Sequence, residues 1–421
     1  MIRLYKNRDW YGLGLFFLLI ILVGYQEMVS PAIGIFAIIV IIEGLFFKTL
    51  EFKFNKHTFI FIILFLFYLA GLIWSDHRDI GWKLMEYKMA FFIFPLLFAF
   101  RKKLIDHDAI LTGLIWGATL LTSRLLVGYF EYPNLTFYDI SRSVVNMHPT
   151  YTSIYLTLAS FLLVYFNYGN KFSYSKVIAF IGVFLFSALV LFIGSMAGIL
   201  FLGLTLFFGA AVVVFNHFKK MGLIIYLIIF PILFVFAFLK MDKMQYDIEM
   251  IESVYKDLGD GKQFFIEKNR LENSGVKQRV ISWCLAAEII YEHPMGVGTG
   301  DIDFVLMEKY DKYRLLALKN QNLNPHNQFL QIGIDLGILG SAFLLFMMIY
   351  FFKVAIQQKS YFLLVVIGSL FFNSFFESVL QRQSGIVFFT LLICFCLTYP
   401  GHYLTKRISN QSMFKFLTSK K

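Results

Sequence analysis

The segment NPHNQFLQIGIDLGILG, at residues 324–340, joins a polar part of the chain to a long apolar run. Asn324 suits an N-cap and Pro325 suits the first helical position, where a backbone N–H would be unpaired in any residue. The sequence from Ala342 to Tyr350 is continuously apolar, as expected of a membrane-spanning helix. We therefore predict a helix that starts at a water boundary, with His326 in its first turn.

One face of this predicted helix carries small residues below the histidine. At 3.6 residues per turn, His326, Leu330, Gly333, Gly337 and Gly340 lie close to one line, over which another helix or a lipid chain can approach. The partial positive charge of a helix N-terminus disfavours imidazolium and attracts anions. The segment thus predicts a neutral imidazole beside a bound phosphate.

The composition of the 421-residue chain is that of a membrane protein, with 58% hydrophobic residues, 15% charged residues and a mean hydropathy of +0.69. Apolar runs predict an all-α polytopic membrane protein with about twelve transmembrane helices. The predicted spans are Tyr11–Gly24, Ala32–Phe47, Thr58–Trp74, Leu84–Phe100, Ala109–Phe130, Thr150–Phe166, Val177–Ile193, Met196–Phe215, Met221–Leu239, Asn327–Phe352, Tyr361–Phe376 and Ile386–Tyr399.

Lysine and arginine indicate the orientation, because they concentrate in cytoplasmic loops. With the N-terminus in the cytosol, the short outer loops contain only Arg78, Lys83, Arg142 and Arg382, so both termini are predicted to be cytoplasmic. Helical patterns at Met241–Leu258 and Val276–Tyr291 fall in the one long outer segment. We divide the chain into helices 1–9 in residues 1–239, an extracytoplasmic helical cap in residues 240–325, helices 10–12 in residues 326–400 and a basic cytoplasmic tail in residues 401–421.

Several classes of function are disfavoured. The net charge of +11 fits the topology and an attraction to anionic membrane lipids, and no aromatic and basic platform suggests a nucleic-acid partner. No metal site is expected, because no H-E-x-x-H motif, C-x-x-C pair or carboxylate cluster occurs, and no cofactor is expected. The glycine-rich residues 296–300 lack the flanking strand and helix of a nucleotide site, so we interpret them as a loop.

Charged and imidazole side chains gather on the predicted outer side. On a helix Arg279 shares a face with Trp283, which suits the lipid interface, and its guanidinium could grip phosphate or form a surface salt bridge. Arg142 could contact an anion or anchor the membrane interface. Glu377 and Arg382 would stabilise each other or their loop, and His148 lies at the start of a predicted span. Charges inside spans are functional or paired by default, and Glu86 and Lys88 could line the same cavity.

These residues together resemble a known family. About twelve spans, one long outer loop, the Arg279-x3-Trp283 pattern, HPMGVG at residues 293–298 and PHNQFL at residues 325–330 resemble the O-antigen ligase and polymerase superfamily of bacterial envelope glycosyltransferases. The resemblance runs over roughly residues 177–399, and its most specific part is the His-Asn segment with its downstream glycines.

The resemblance implies a GT-C type enzyme of the bacterial inner membrane that works at the periplasmic face without a metal. Its donor would be an undecaprenyl-diphosphate-linked glycan, and its acceptor lipid A-core or a glycan. His326 would be the catalytic base, and Arg279, with Arg142, would bind the donor diphosphate. The supporting residues would be Asn327, His148, Glu377 and Arg382.

One position departs from the family pattern. Many relatives have an arginine after the serine of the turn that here reads GSMAG at residues 194–198, and Met196 cannot bind phosphate. Arg142 or another outer cation could replace it. We favour an O-antigen ligase acting on lipopolysaccharide core; the alternatives are a polymerase of lipid-linked repeat units and, in another class, a lipid-linked oligosaccharide transporter, which should show internal repeats.

Overall fold

The computed structural model describes residues 9–102, 105–168, 176–240, 242–271 and 274–399. The structure is 78% helical with two strands of three residues, which confirms the all-α class. The predicted basic tail at residues 401–421 lies outside the described residues. The N-terminal basic residues 3, 6 and 8 also lie outside them.

The helices are numbered in chain order. Strands β1 (Leu50–Phe52) and β2 (Phe100–Lys102) pair antiparallel, with Glu51 opposite Arg101. The helices are α1 (Trp10–Gly24), α2 (Val29–Leu45), α3 (Phe59–Gly71), α4 (Arg78–Lys88), α5 (Ala90–Leu97), α6 (His107–Glu131), α7 (Phe137–Asp139), α8 (Pro149–Tyr168), α9 (Lys176–Ile193), α10 (Met196–Leu239), α11 (Asp242–Gly259), α12 (Lys262–Lys268), α13 (Gly275–Glu292), α14 (Ile302–Lys312), α15 (Leu316–Asn320), α16 (Gln328–Gln357), α17 (Tyr361–Asn373) and α18 (Gln383–Thr398).

Apolar helices dominate the described chain, as a membrane protein requires. Five are long and apolar enough to cross a bilayer, and six more are apolar but shorter, so the number of twelve spans remains a prediction. The five are Gln26–Leu45, His107–Glu131, Pro149–Asn167, Lys176–Ile193 and Gln328–Gln357. The shorter ones are Trp10–Gly24, Phe59–Gly71, Met196–Gly209, Met221–Phe236, Tyr361–Asn373 and Gln383–Thr398.

The predicted fourth span, Leu84–Phe100, is wrong in its limits. Its first residues belong to α4, which starts at Arg78 and has a polar, mostly exposed surface. The apolar helix α5 covers only eight residues. The chain then enters β2 at Phe100, because the backbone there pairs with β1.

Helix α10 covers 44 residues, but its first and second halves pack side by side. The Tyr226 hydroxyl donates to the carbonyl oxygens of Leu206, at 3.3 Å, and Phe207, at 3.1 Å. The rings of Phe207 and Phe230 are 5.6 Å apart. Residues twenty apart on one straight helix would be about 30 Å apart, so the two halves form an antiparallel pair. This agrees with the two spans predicted here.

The segment between α10 and α16 has a hydrophobic core of its own. Helices α11 and α13 match the two helices predicted there to within about two residues at each end. The core joins α16 through Ile334, which is fully buried in it. Its buried members are Val254, Phe265, Ile266, Ile281, Leu285, Ala286, Ile289, Ile302, Leu306, Tyr310, Leu315, Leu318 and Ile334.

Helix α16 is interrupted at Gly337, where φ is 70° and ψ is −168°. A Cβ at this position would overlap the carbonyl oxygen of Pro294. The loop after α13 fills the break: Val297 N–H donates to Ile334 O at 2.8 Å, and Ile338 N–H donates to Pro294 O at 3.0 Å. The prediction of one continuous face of small residues is therefore wrong. The close approach predicted at this glycine is made by the loop.

Candidate active site

The turn before α16 positions His326, and the predicted start of this helix is wrong. Helix α16 begins at Gln328, and the Asn327 side chain is its N-cap, accepting from Phe329 N–H at 3.0 Å and Leu330 N–H at 3.1 Å. Asn324, the predicted N-cap, instead accepts from His326 N–H at 2.9 Å through its side-chain oxygen. His326 therefore lies just outside the helix.

His326 has a backbone φ of 44°, in the left-handed region. This conformation is uncommon for residues other than glycine and costs about 1–3 kcal/mol, so neighbouring contacts must hold it. Helix α13 supplies one, because Trp283 Nε1 donates to Pro325 O at 2.7 Å. The indole predicted for the lipid interface thus fixes the turn that carries the histidine.

Glu377, in the loop between α17 and α18, is the partner of His326. Its carboxylate oxygens lie 3.1 and 3.2 Å from His326 Nδ1. Its Oε2 is also 3.7 Å from Nε2 of His148, just before α8. Only 3% of Glu377 is exposed. Two imidazoles from distant parts of the chain therefore face one buried carboxylate.

The electrostatics of this cluster favour an ionised Glu377. Burial alone would raise its pKa, but the hydrogen bond with His326 and the charges of His326, His148 and Arg279 hold the pKa at about 2. Burial lowers the pKa of His148 to about 4, although Glu377 opposes this effect. At neutral pH the cluster thus contains a carboxylate beside a neutral His148.

Two arginines contribute positive charge to the cluster. Arg279 acts on both Glu377 and His148, and Arg382 acts on His148. Arg279 is on α13, one turn before Trp283, and Arg382 is the exposed N-cap residue of α18. Within the described residues neither guanidinium has a hydrogen bond or ion pair, and no contact of the predicted kind joins Arg382 to Glu377. Both are free to bind an anion.

Asn327 and Arg142, the other two residues predicted for the site, have different surroundings. Asn327 caps α16, and its Nδ2 also donates to Phe375 O at 3.3 Å, which ties the helix start to the Glu377 loop. Arg142 is exposed on a π-helical turn, Ile140–Val144, and has no described contact with Glu377. Among the described residues no group of three or more His, Cys, Asp or Glu side chains could hold a metal ion.

Sequence reasoning missed most of the residues that hold the Glu377 loop. Gln328 Oε1 accepts from Leu380 N–H at 2.6 Å, and the Tyr151 hydroxyl donates to Val379 O at 3.3 Å. Lys88 donates to Leu380 O at 2.6 Å. A lysine within an apolar segment is the one signal visible in the sequence. Glu86, expected beside it, is exposed instead.

Comparison with known proteins gives one family match, over part of the chain. Residues 181–345 match the family model described as O-antigen ligase. This match supports the resemblance to the O-antigen ligase and polymerase superfamily. The matched region of this ligase domain contains Arg279, Trp283 and His326, whereas Glu377 lies beyond its end. No curated protein matches the chain. The match supports a membrane glycosyltransferase of the ligase and polymerase type.

Proposed function

We propose that this protein is an O-antigen ligase that transfers a glycan from undecaprenyl diphosphate to a hydroxyl of lipid A-core. The family match supports the reaction class. The observation that carries the proposal is the hydrogen bond between His326 Nδ1 and the buried Glu377, at 3.1 Å. A carboxylate behind an imidazole is the arrangement of a general base.

The proposed chemistry follows from the protonation of this pair. Glu377, with a pKa of about 2, is ionised at neutral pH and accepts a hydrogen bond from the Nδ1–H of His326. The Nε2 nitrogen then has a lone pair and takes the proton of the acceptor hydroxyl. The acceptor oxygen bonds to the anomeric carbon as the bond from that carbon to the diphosphate oxygen breaks. Undecaprenyl diphosphate leaves with the electron pair, and the proton stays on His326.

The leaving diphosphate needs positive charge, and we assign this role to Arg279 and Arg382. Guanidinium groups bind phosphate through paired N–H donors, and these two have no described partner that would compete. Met196, where many relatives have an arginine, follows a turn in which Ser195 Oγ lies 3.4 Å from Thr150 Oγ1, at the start of α8 near His148. Arg382, whose charge acts on His148, is the cation that we propose in its place, and Arg142, which has no described contact with the cluster, remains the alternative.

We place the reaction at the periplasmic face of the bacterial inner membrane, with both termini in the cytoplasm. The distribution of Lys and Arg supports this orientation. The helical cap, residues 240–325, would then cover the periplasmic end of the helices, and membrane lipids would surround α16 and the other apolar helices.

Identification of the product tests the proposed function. The full-length protein in nanodiscs is supplied with an undecaprenyl-diphosphate-linked glycan and purified lipid A-core, and the products are resolved by mass. We expect glycan on lipid A-core. Longer lipid-linked glycan would instead identify a polymerase, and movement of intact donor across vesicles without any product would identify a transporter.

A further inference from the structure

Lys88, the last residue of α4, is a buried cation that contacts the Glu377 loop and not the reacting groups. Only 1% of the residue is exposed. Its ammonium donates to Leu380 O at 2.6 Å and to Gln381 Oε1 at 3.0 Å, and it lies 4.6 Å from the centre of the Tyr68 ring. Both hydrogen bonds therefore end on the loop that carries Glu377.

The same loop is also held by the helix that follows His326. Leu380 N–H donates to Gln328 Oε1 at 2.6 Å, so both backbone polar groups of Leu380 are bound by buried side chains. Gln328 N–H also donates to Ser374 O at 2.8 Å. The loop between residues 374 and 382 is thus fixed between α4 and the first turn of α16, two residues from His326.

A charged side chain is energetically unfavourable at this buried position. Removal of an ammonium from water costs free energy, and an apolar side chain of equal volume would avoid that cost. The carboxylate whose charge acts on Lys88 is Asp335, itself buried in α16 next to the break. Unlike an apolar residue, the lysine fixes the direction of the Leu380 carbonyl through a hydrogen bond.

We propose that Lys88 is a positioning residue. Together with Gln328 it forms hydrogen bonds with the backbone of Leu380, and these keep Glu377 at hydrogen-bond distance from His326. The inference rests on the proposed function of that pair. A displacement of about 1 Å at a catalytic group can lower the rate on the order of 10²-fold. Arg279 does not belong to this loop, whereas Arg382 is its last residue. Donor binding should therefore weaken only through Arg382, and by less than the rate falls.

The test begins with Lys88→Met, which has a similar volume and no donor. We expect kcat to fall by about 10²-fold, and any rise in KM for the donor, through Arg382, to be smaller than the fall in kcat. The control is Lys102→Met, another largely buried lysine, whose ammonium binds Asp9 at 3.0 Å and Glu43 at 3.2 Å. We expect this control to keep the wild-type kcat. A wild-type kcat in folded Lys88→Met overturns the proposal.

A second measurement does not depend on activity. Hydrogen exchange of residues 374–382 should accelerate in Lys88→Met and in Gln328→Leu, and remain at the wild-type rate in Lys102→Met. Because both side chains act on Leu380, the double variant should lose less kcat than the two single losses multiplied. Fully multiplicative losses, or unchanged exchange, would contradict the inference. If Lys88→Met does not fold, Gln328→Leu provides both readouts.

Failure of the proposed function gives a different pattern. In that case the wild-type protein forms no transfer product, yet the loop still exchanges faster in Lys88→Met. If Lys88 is not a positioning residue, the wild-type protein is active, a His326 variant is inactive and Lys88→Met behaves as wild type.

Discussion

Glu377 decides what His326 can do, because its charge determines which imidazole nitrogen carries the proton. The carboxylate has 3% exposure and a pKa of about 2, so it remains ionised throughout the physiological range. An ionised acceptor at Nδ1 leaves Nε2 as the basic nitrogen. In the proposed reaction the same carboxylate would stabilise the imidazolium formed when His326 takes a proton.

Glu377→Gln tests this role, because the amide keeps the shape and removes the charge. General acid–base catalysis contributes about 10²–10⁴-fold, so we expect kcat to fall within that range. The donor KM should change little. Steady-state transfer kinetics in nanodiscs measure both values. A variant with more than half of the wild-type kcat would show that the carboxylate charge is not needed.

Two groups of the cluster make stability depend on pH in the same direction. His148 has a folded pKa of about 4, below its ordinary value of 6.5, so the unfolded chain binds more protons between these values. Glu377 has a folded pKa of about 2 against 4.5. Both stabilising contributions are complete at neutral pH. The contribution of His148 is lost as the pH falls from about 6.5 to about 4, and that of Glu377 is lost from about 4.5 to about 2.

His148→Gln should therefore reduce the loss of stability that occurs as the pH falls from about 6.5 to about 4. In thermal unfolding of the detergent-solubilised protein, we expect the wild-type Tm to fall between pH 6.5 and pH 4.5, and the Tm of the variant to fall less over that interval. Parallel curves for the two proteins would contradict the low pKa of His148.

At the scale of elements, helix α16 shows what a local pattern can and cannot predict. The sequence predicts its apolar run and an asparagine N-cap, but it places the helix start at Asn324 and so misses the non-helical turn that holds His326. Either Asn324 or Asn327 could cap a helix, and the sequence favoured the wrong one. The break at Gly337 was also missed, because it depends on hydrogen bonds with a loop about 40 residues earlier in the chain. The helix propensities of single residues do not take such tertiary contacts into account.

Gly337→Ala should be strongly destabilising. Its φ of 70° is unfavourable for alanine, and the new Cβ would overlap the Pro294 carbonyl oxygen. We expect a loss of at least about 1–3 kcal/mol. Gly368→Ala on α17 is the matched control, since no atom lies within 4 Å of a Cβ there and alanine favours a helix by about 1 kcal/mol. Thermal stability measured in one detergent compares the two. Equal stability of the two variants would contradict the helix break at Gly337.

At the scale of the whole molecule, the candidate site is assembled from segments that are far apart in sequence. His148 precedes α8, Arg279 belongs to α13, and Glu377 follows α17. The sequence predicts the class of protein, and the roles that the family resemblance implies for His326 and the loop residues stay predictions. It could not predict the pairing of His326 with Glu377, because the two are 51 residues apart and meet only when α16 and α17 pack.

The central claim is that His326 removes the proton from the acceptor hydroxyl. His326→Asn is the most informative variant, because asparagine tolerates the left-handed backbone found here, with φ of 44°, and is not a base at neutral pH. The measurement is the single-turnover rate of glycan transfer to lipid A-core by the nanodisc-bound protein at saturating donor. We predict a rate reduced by about 10²–10⁴-fold or more with the protein still folded. Transfer at the wild-type rate by a folded His326→Asn protein would contradict the account.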